Sequence, residues 1–81
     1  LVNRPLTIAD VTYSVFLREE SDYIKVSTRS KGDFPVNRLC KEYFNGGGHL
    51  NAAGGEFYGT LEEAVATIER AMPEFDRFLP K

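Results

Sequence analysis

Between residues 11 and 30 the chain alternates apolar and polar positions. In "VTYSVFLREE", Val11, Tyr13, Val15 and Leu17 fall on one side and Thr12, Ser14, Phe16 and Arg18 on the other, the period of two that marks a strand. A polar turn at Glu20, Ser21 and Asp22 leads into "YIKVSTRS". There Ile24, Val26 and Thr28 share one face, and Lys25, Ser27 and Arg29 the other. Two such segments in succession predict a hairpin, and its polar face carries a cation and a hydroxyl two residues apart.

The period then changes. Val36, Leu39, Cys40, Tyr43 and Phe44 recur at helical spacing, with Pro35 placed to open a helix and Asn45-Gly46 to close it. After a glycine-rich segment, "HLNAA" suits a short helix and "EFY" a short strand. In "GTLEEAVATIERAM", Thr60 and Glu63 have capping-box spacing, and Leu61, Ala64, Val65, Ile68, Ala71 and Met72 form one apolar stripe. Pro73 ends or restarts this helix, and "EFDRFL" adds a last turn through Phe75, Phe78 and Leu79. A hairpin followed by a crossover to a later strand predicts a mixed β-sheet packed against helices, hence an α+β fold, a small α/β sandwich.

Size limits what this fold can hold. At 81 residues the chain is a single domain, and one this small buries only roughly 60% of the surface its unfolded chain exposes. With 42% hydrophobic and 27% charged residues the composition is globular. One cysteine can form neither an internal disulfide nor a four-ligand zinc site, which fits a reducing compartment. No apolar run approaches membrane-spanning length and "LVNRPLTIAD" lacks the layout of a leader, so the expectation is a cytoplasmic protein with no membrane partner. Leu1 is not an initiator methionine, which suggests a piece of a longer protein.

Charge changes the picture further. Residues 25 to 41 hold Lys25, Arg29, Lys31, Arg38 and Lys41 against Asp33 alone, whereas residues 42 to 81 hold seven acids against three bases. A local basic surface on a chain of net charge −2 suits a small anionic ligand better than long duplex nucleic acid. Surface solvation is the plain alternative for Lys31, Arg38 and Lys41, and an ion pair with Glu19 or Glu20 is the plain alternative for Arg29.

The stretch "FNGGGHLNAAGGEF" packs five glycines, two alanines and the chain's single histidine into fourteen positions. A flexible linker has no use for paired alanines between a helix and a strand. Close packing explains Gly46 and the alanines, but it leaves three successive glycines before His49 unexplained. Backbone chemistry supplies a third reading. Consecutive N–H groups free of side chains converge into an anion-binding concavity, and a short helix beginning at His49 would aim its dipole into the same space. His49 would then donate to a phosphate oxygen, Asn51 would add a neutral donor and acceptor, Arg29 a planar fork and Ser27 a hydroxyl. No Lys-Ser or Lys-Thr follows the glycines and no strand leads directly into them, so neither the Walker loop nor the dinucleotide fingerprint is present. One histidine and scattered carboxylates leave no metal site in this chain. Cys40, on the apolar face of its helix, is a core thiol, and Ser27 with His49 lacks a third group to make a nucleophile and base.

From "KVSTRS" to "GGGHLNAAGGEF" the chain closely resembles the C-terminal DHH-associated domain of the DHH family of phosphoesterases. That family pairs an S-x-R-S strand, here Ser27, Arg29 and Ser30, with GGGHxxAAG, here Gly46, Gly47, Gly48, His49, Ala52, Ala53 and Gly54. The resemblance is strongest to the bacterial members that combine nanoRNase activity on very short oligoribonucleotides with phosphatase activity on 3′-phosphoadenosine 5′-phosphate, often described as exopolyphosphatase-related. It implies that residues 1–81 form a substrate-binding domain with no catalytic residue and no cofactor of its own. Two manganese ions would belong to an N-terminal DHH domain absent from this chain, which would perform two-metal hydrolysis. Implied partners are short RNA or a phosphorylated nucleotide and the DHH domain, with homodimerisation of the longer protein left open. Cyclic dinucleotides and polyphosphate remain open as substrates. So does a stand-alone nucleotide-binding module without phosphoester chemistry, like the related domain of alanyl-tRNA synthetases.

Overall fold

A computed structural model describes residues 4–80. Five strands form one sheet: β1 (Pro5–Ala9), β2 (Tyr13–Glu19), β3 (Ile24–Ser30), β4 (Gly47–His49) and β5 (Ala52–Phe57). Their spatial order is β1-β2-β3-β5-β4. Helices α1 (Val36–Tyr43) and α2 (Leu61–Ala71) and a 3-10 segment (Met72–Phe78) are the other elements among the described residues. Among the described residues no helix is long and apolar enough to cross a membrane.

The hairpin forms as its alternation predicts, with Leu17 opposite Val26 and Phe16 opposite Ser27. Val15, Leu17, Ile24, Val26 and Thr28 are buried. Against them pack Val36, Leu39, Cys40 and Phe44 of the α1 region, Leu61, Ala64, Ile68 and Ala71 of α2, and Phe75 of the 3-10 segment. Phe34, before α1, stacks between Tyr13 (ring centroids 4.9 Å apart) and Phe75 (5.6 Å). All of this lies on one side of the sheet. The core is therefore one-sided, as an antiparallel sheet with one solvated face allows.

Thr60 caps α2 as its spacing predicts. Its hydroxyl accepts from Glu63 N at 3.0 Å and its own N–H donates to the Glu63 carboxylate at 2.8 Å. Pro35 occupies the N-cap of α1. Asn45 takes a left-handed conformation (φ 52°) beyond the other end, and Gly46 N donates back to the Cys40 carbonyl.

Two expectations need correction. The α+β class holds, but every strand pair is antiparallel, so the sheet is not mixed. The cause is a strand hidden in the glycines. β4 follows the α1 crossover and runs in the same direction as β3, yet β5 returns between them, so β3 pairs with a neighbour of opposite direction. The expected short helix at "HLNAA" is likewise absent. His49 and Ala52 face each other across a two-residue turn, Leu50-Asn51. The turn's carbonyls accept from Val36 N (3.0 Å) and Ser30 N (3.0 Å), tying it to the start of α1 and the end of β3, and Ala53 enters the core.

Candidate functional site

The side of the sheet away from the helices is open, and its register decides what stands there. Cross-strand partners share a face. Ala9, Ser14, Arg29, Ala52 and His49 therefore form one row across all five strands. Thr7, Phe16, Ser27, Gly54 and Gly47 form the adjacent row. Arg29 and His49 are two strand spacings apart, roughly 10 Å, with only the methyl of Ala52 between them. The floor is low, built from Ser14, Ser27, Ala52, Gly54 and Gly47. Arg29, His49 and Phe16 rise from it.

The three glycines before His49 play different parts. A Cβ on Gly46 would lie 1.9 Å from the Gly54 carbonyl oxygen, and one on Gly48 would lie 2.7 Å from the Ala52 carbonyl oxygen. Gly48 also has φ 148°, which side chains rarely tolerate. These two serve close approach to β5. Gly47 has nothing within 4 Å of a Cβ position and belongs to the row on the open face. The converging N–H concavity is not formed either, because successive residues of an extended strand direct their N–H groups to opposite sides. β4 is instead an edge strand, with backbone groups on its outer side that no strand takes up.

Of the other expected residues, Arg29, Ser27 and His49 come together on the open face. Arg29 is exposed and its guanidinium donates to the Thr28 carbonyl at 2.8 Å. The ion pair expected as its plain alternative is not found. Glu19 pairs with Arg4 (3.8 Å) and Glu20 with Arg18 (2.6 Å), at the far end of the hairpin from Arg29. Ser30 and Asn51 hold structure together. The Ser30 hydroxyl donates to the Phe34 carbonyl (2.7 Å) and accepts from the Asn51 amide (2.9 Å), which also donates to the Gly32 carbonyl (3.1 Å). Those bonds fix the β4–β5 turn beside the end of β3.

Electrostatics favour an anion at this end of the sheet. Arg29 and Lys31 border an open groove of about 360 Å³, shared with Asp10, Tyr13 and Ser14. Asp10 is engaged locally, accepting from Thr12 N at 3.2 Å. Burial, and secondarily the Asp10 charge, push the Tyr13 phenol up from its ordinary value, so it stays a neutral donor. Arg38 belongs elsewhere, since it bridges Glu42 (2.9 Å) and lies over the Phe75 ring. Among the described residues no group of three or more His, Cys, Asp or Glu is placed to hold a metal ion, so these residues do not fit a manganese site. Cys40 is fully buried, and burial raises its thiol pKa. It is no nucleophile at neutral pH.

Two features of this face were not read from the sequence. β4 was unreadable because a three-residue strand of Gly-Gly-His carries no alternation. Phe16, 42% exposed, stands opposite Ser27 in the second row. Its signal was present, as an aromatic ring among the polar positions of β2.

A small antiparallel sheet, helices on one side only, a Gly-Gly-Gly-His edge strand and an arginine in register with that histidine are the features of a DHH-associated domain. The chain matches the DHHA1 domain over residues 1–74 and belongs to that family. It is similar to the bifunctional oligoribonuclease and PAP phosphatase NrnA of Bacillus subtilis (strain 168), at 37% identity over 71 residues. That match takes in 85% of this chain and 22% of the relative. It also resembles the crystal structure of an exopolyphosphatase-related protein from Bacteroides fragilis, with a TM-score of 0.80 and 58% identity. There 88% of this chain covers 21% of the other. The chain thus spans about a fifth of either relative.

Proposed function

We propose that this chain is the substrate-gripping domain of a manganese-dependent phosphoesterase that hydrolyses short oligoribonucleotides, 3′-phosphoadenosine 5′-phosphate, or both. In this reading residues 1–81 act beside an N-terminal DHH domain of the same polypeptide, in the cytoplasm. That domain holds the manganese ions, whose chemistry is to activate water. Nothing in this chain takes part in that step. Its own work is recognition. Arg29 offers a planar fork to two phosphate oxygens, His49 offers an imidazole N–H from the far side of the row, and Ser27 adds a hydroxyl from the next row. Gly47 and Gly54 keep the floor low, so a phosphate can descend to the backbone of the sheet.

The observation that carries this reading is the shared row of Arg29, Ala52 and His49, which three separate strands bring into register. The NrnA relative supports the nucleotide substrates. Polyphosphate is a second reading, favoured by the exopolyphosphatase-related neighbour, and the same row would meet its oxygens.

The test uses the full-length polypeptide with manganese and a diribonucleotide. Arg29→Ala should lower kcat/KM by about 10- to 150-fold, the worth of hydrogen bonds to a charged partner. An unchanged kcat/KM would remove Arg29 from the site. Turnover by the 81-residue chain alone that survives metal chelation would contradict the division of labour.

A further inference from the structure

Phe16 takes no part in the hydrophobic core. It projects from β2 on the side opposite the buried Val15 and Leu17 and remains 42% exposed. Aromatic side chains on a sheet normally pack against their cross-strand neighbours. Here those neighbours are Thr7 and Ser27, which offer little area, and beyond Ser27 the row continues into Gly54 and Gly47. Among the described residues Phe16 belongs to no ring pair, whereas Tyr13, Phe34, Phe75 and Phe78 form a connected set. A single exposed apolar residue is ordinary in itself, and Val11 and Tyr58 are more exposed still. Position distinguishes Phe16. Val11 lies in the β1–β2 turn and Tyr58 follows β5, outside the two rows that hold the expected site residues.

The register also sets a distance. Phe16 opposes Ser27, two residues from Arg29 on the same face of β3, which makes Phe16 and Arg29 diagonal neighbours with Cα atoms about 7–8 Å apart. That span is comparable to the reach of a nucleotide from its phosphate to its base. With the phosphate at Arg29 and the sugar over Ser27, the base arrives above Phe16. Charge supports the placement. Lys25 and Arg29 flank Ser27 on the open face of β3, and Glu56 is the acid on the neighbouring face of β5, opposite Lys25.

We propose that Phe16 is a stacking surface for the base of a nucleotide whose phosphate sits at Arg29, so that this face selects nucleoside-bearing phosphoesters over bare phosphate chains. Exposed aromatics on the uncovered face of a sheet serve single-stranded nucleic acids in the same way, because every base presents a π-face to them. The inference rests on the phosphate reading of the Arg29–His49 row and names its substrate class. It decides against polyphosphate as the preferred ligand.

The experiment is a chemical-shift titration of the full chain with 5′-AMP, ribose 5-phosphate and inorganic pyrophosphate. It compares the parent with Phe16→Ala, Phe16→Tyr and Arg29→Ala, each checked for folding by its thermal transition. Phe16→Ala should weaken 5′-AMP by about 5- to 150-fold and leave the two ligands without a base within about twofold. Phe16→Tyr, which keeps the ring even if alanine disturbs the sheet, should retain parental selectivity for 5′-AMP. Equal effects of Phe16→Ala on 5′-AMP and ribose 5-phosphate, or none on either, would overturn base stacking, and so would lost selectivity in Phe16→Tyr. If Arg29→Ala leaves all three affinities intact, the phosphate reading itself falls, and the inference with it.

Discussion

Two alanine substitutions one residue apart should behave oppositely. A methyl on Gly46 would meet the Gly54 carbonyl oxygen at 1.9 Å, the Gly55 Cα at 2.6 Å and the Gly54 carbonyl carbon at 2.8 Å. All three are backbone atoms, so no rotamer change relieves the contact. Ordinary contact begins at 3.4 Å, so the end of α1 and β5 must separate by about 1.5 Å. That movement strains the bond from Glu56 N to the Phe44 carbonyl, 2.6 Å long. Overpacking typically costs about 1–3 kcal/mol and a lost hydrogen bond about 1 kcal/mol more, which together make about 2–4 kcal/mol. A domain of this size has a total stability of about 4–12 kcal/mol, and each kcal/mol moves its Tm by roughly 4–8 °C. Gly46→Ala should therefore melt at least about 8 °C below the parent in a circular-dichroism scan, or fail to fold. Gly47→Ala meets nothing and has no positive φ. Its stability should stay within about 0.5 kcal/mol or rise by up to about 1 kcal/mol through the unfolded chain's lost freedom. Equal melting of the two variants would refute the division of the glycines into packing and open positions.

The remaining predictions concern the scaffold and the charge on α1. Thr60→Ala removes the hydroxyl that accepts from Glu63 N but keeps the backbone N–H that donates to the Glu63 carboxylate, and should cost about 1 kcal/mol in urea unfolding; no loss would mean the hydroxyl adds nothing. The Cys40 thiol should resist thiol reagents until the chain is denatured. The folded state holds the proton of Cys40, and that of Tyr13, more tightly than the unfolded chain. Stability should thus fall as pH rises past the ordinary thiol value of 9.0, and a urea midpoint that rises between about pH 7 and about pH 10 would contradict this sign. Arg38→Gln should change phosphate affinity less than about twofold, because Arg38 pairs with Glu42 on α1; a larger loss would place α1 in the site.

What the sequence disclosed depended on how each element is stabilised. The hairpin and α2 were legible because many residues repeat one signal, period two in β2 and β3 and an apolar stripe with a capping box in α2. β1 was missed. Its strand is exposed at nearly every position, so pairing with β2 rather than burial defines it. β4 was missed because glycine has no side chain to alternate, and that omission carried the error about strand direction. Arg29, Ser27 and His49 were singled out through their residue types and the family resemblance. Their alignment in one register was not legible, since it depends on β5 returning between β3 and β4. Ser30, from the motif, and Asn51, chosen as a neutral donor and acceptor, show the converse: the structure engages their polar groups in bonds that hold the turn.

The most direct measurement is a crystal structure of this chain with 3′-phosphoadenosine 5′-phosphate. A phosphate above Ala52, with oxygens about 2.7–3.2 Å from both the Arg29 guanidinium and the His49 imidazole, is the predicted result. A phosphate bound on the helical side, at Arg38 or Lys41, would contradict the account.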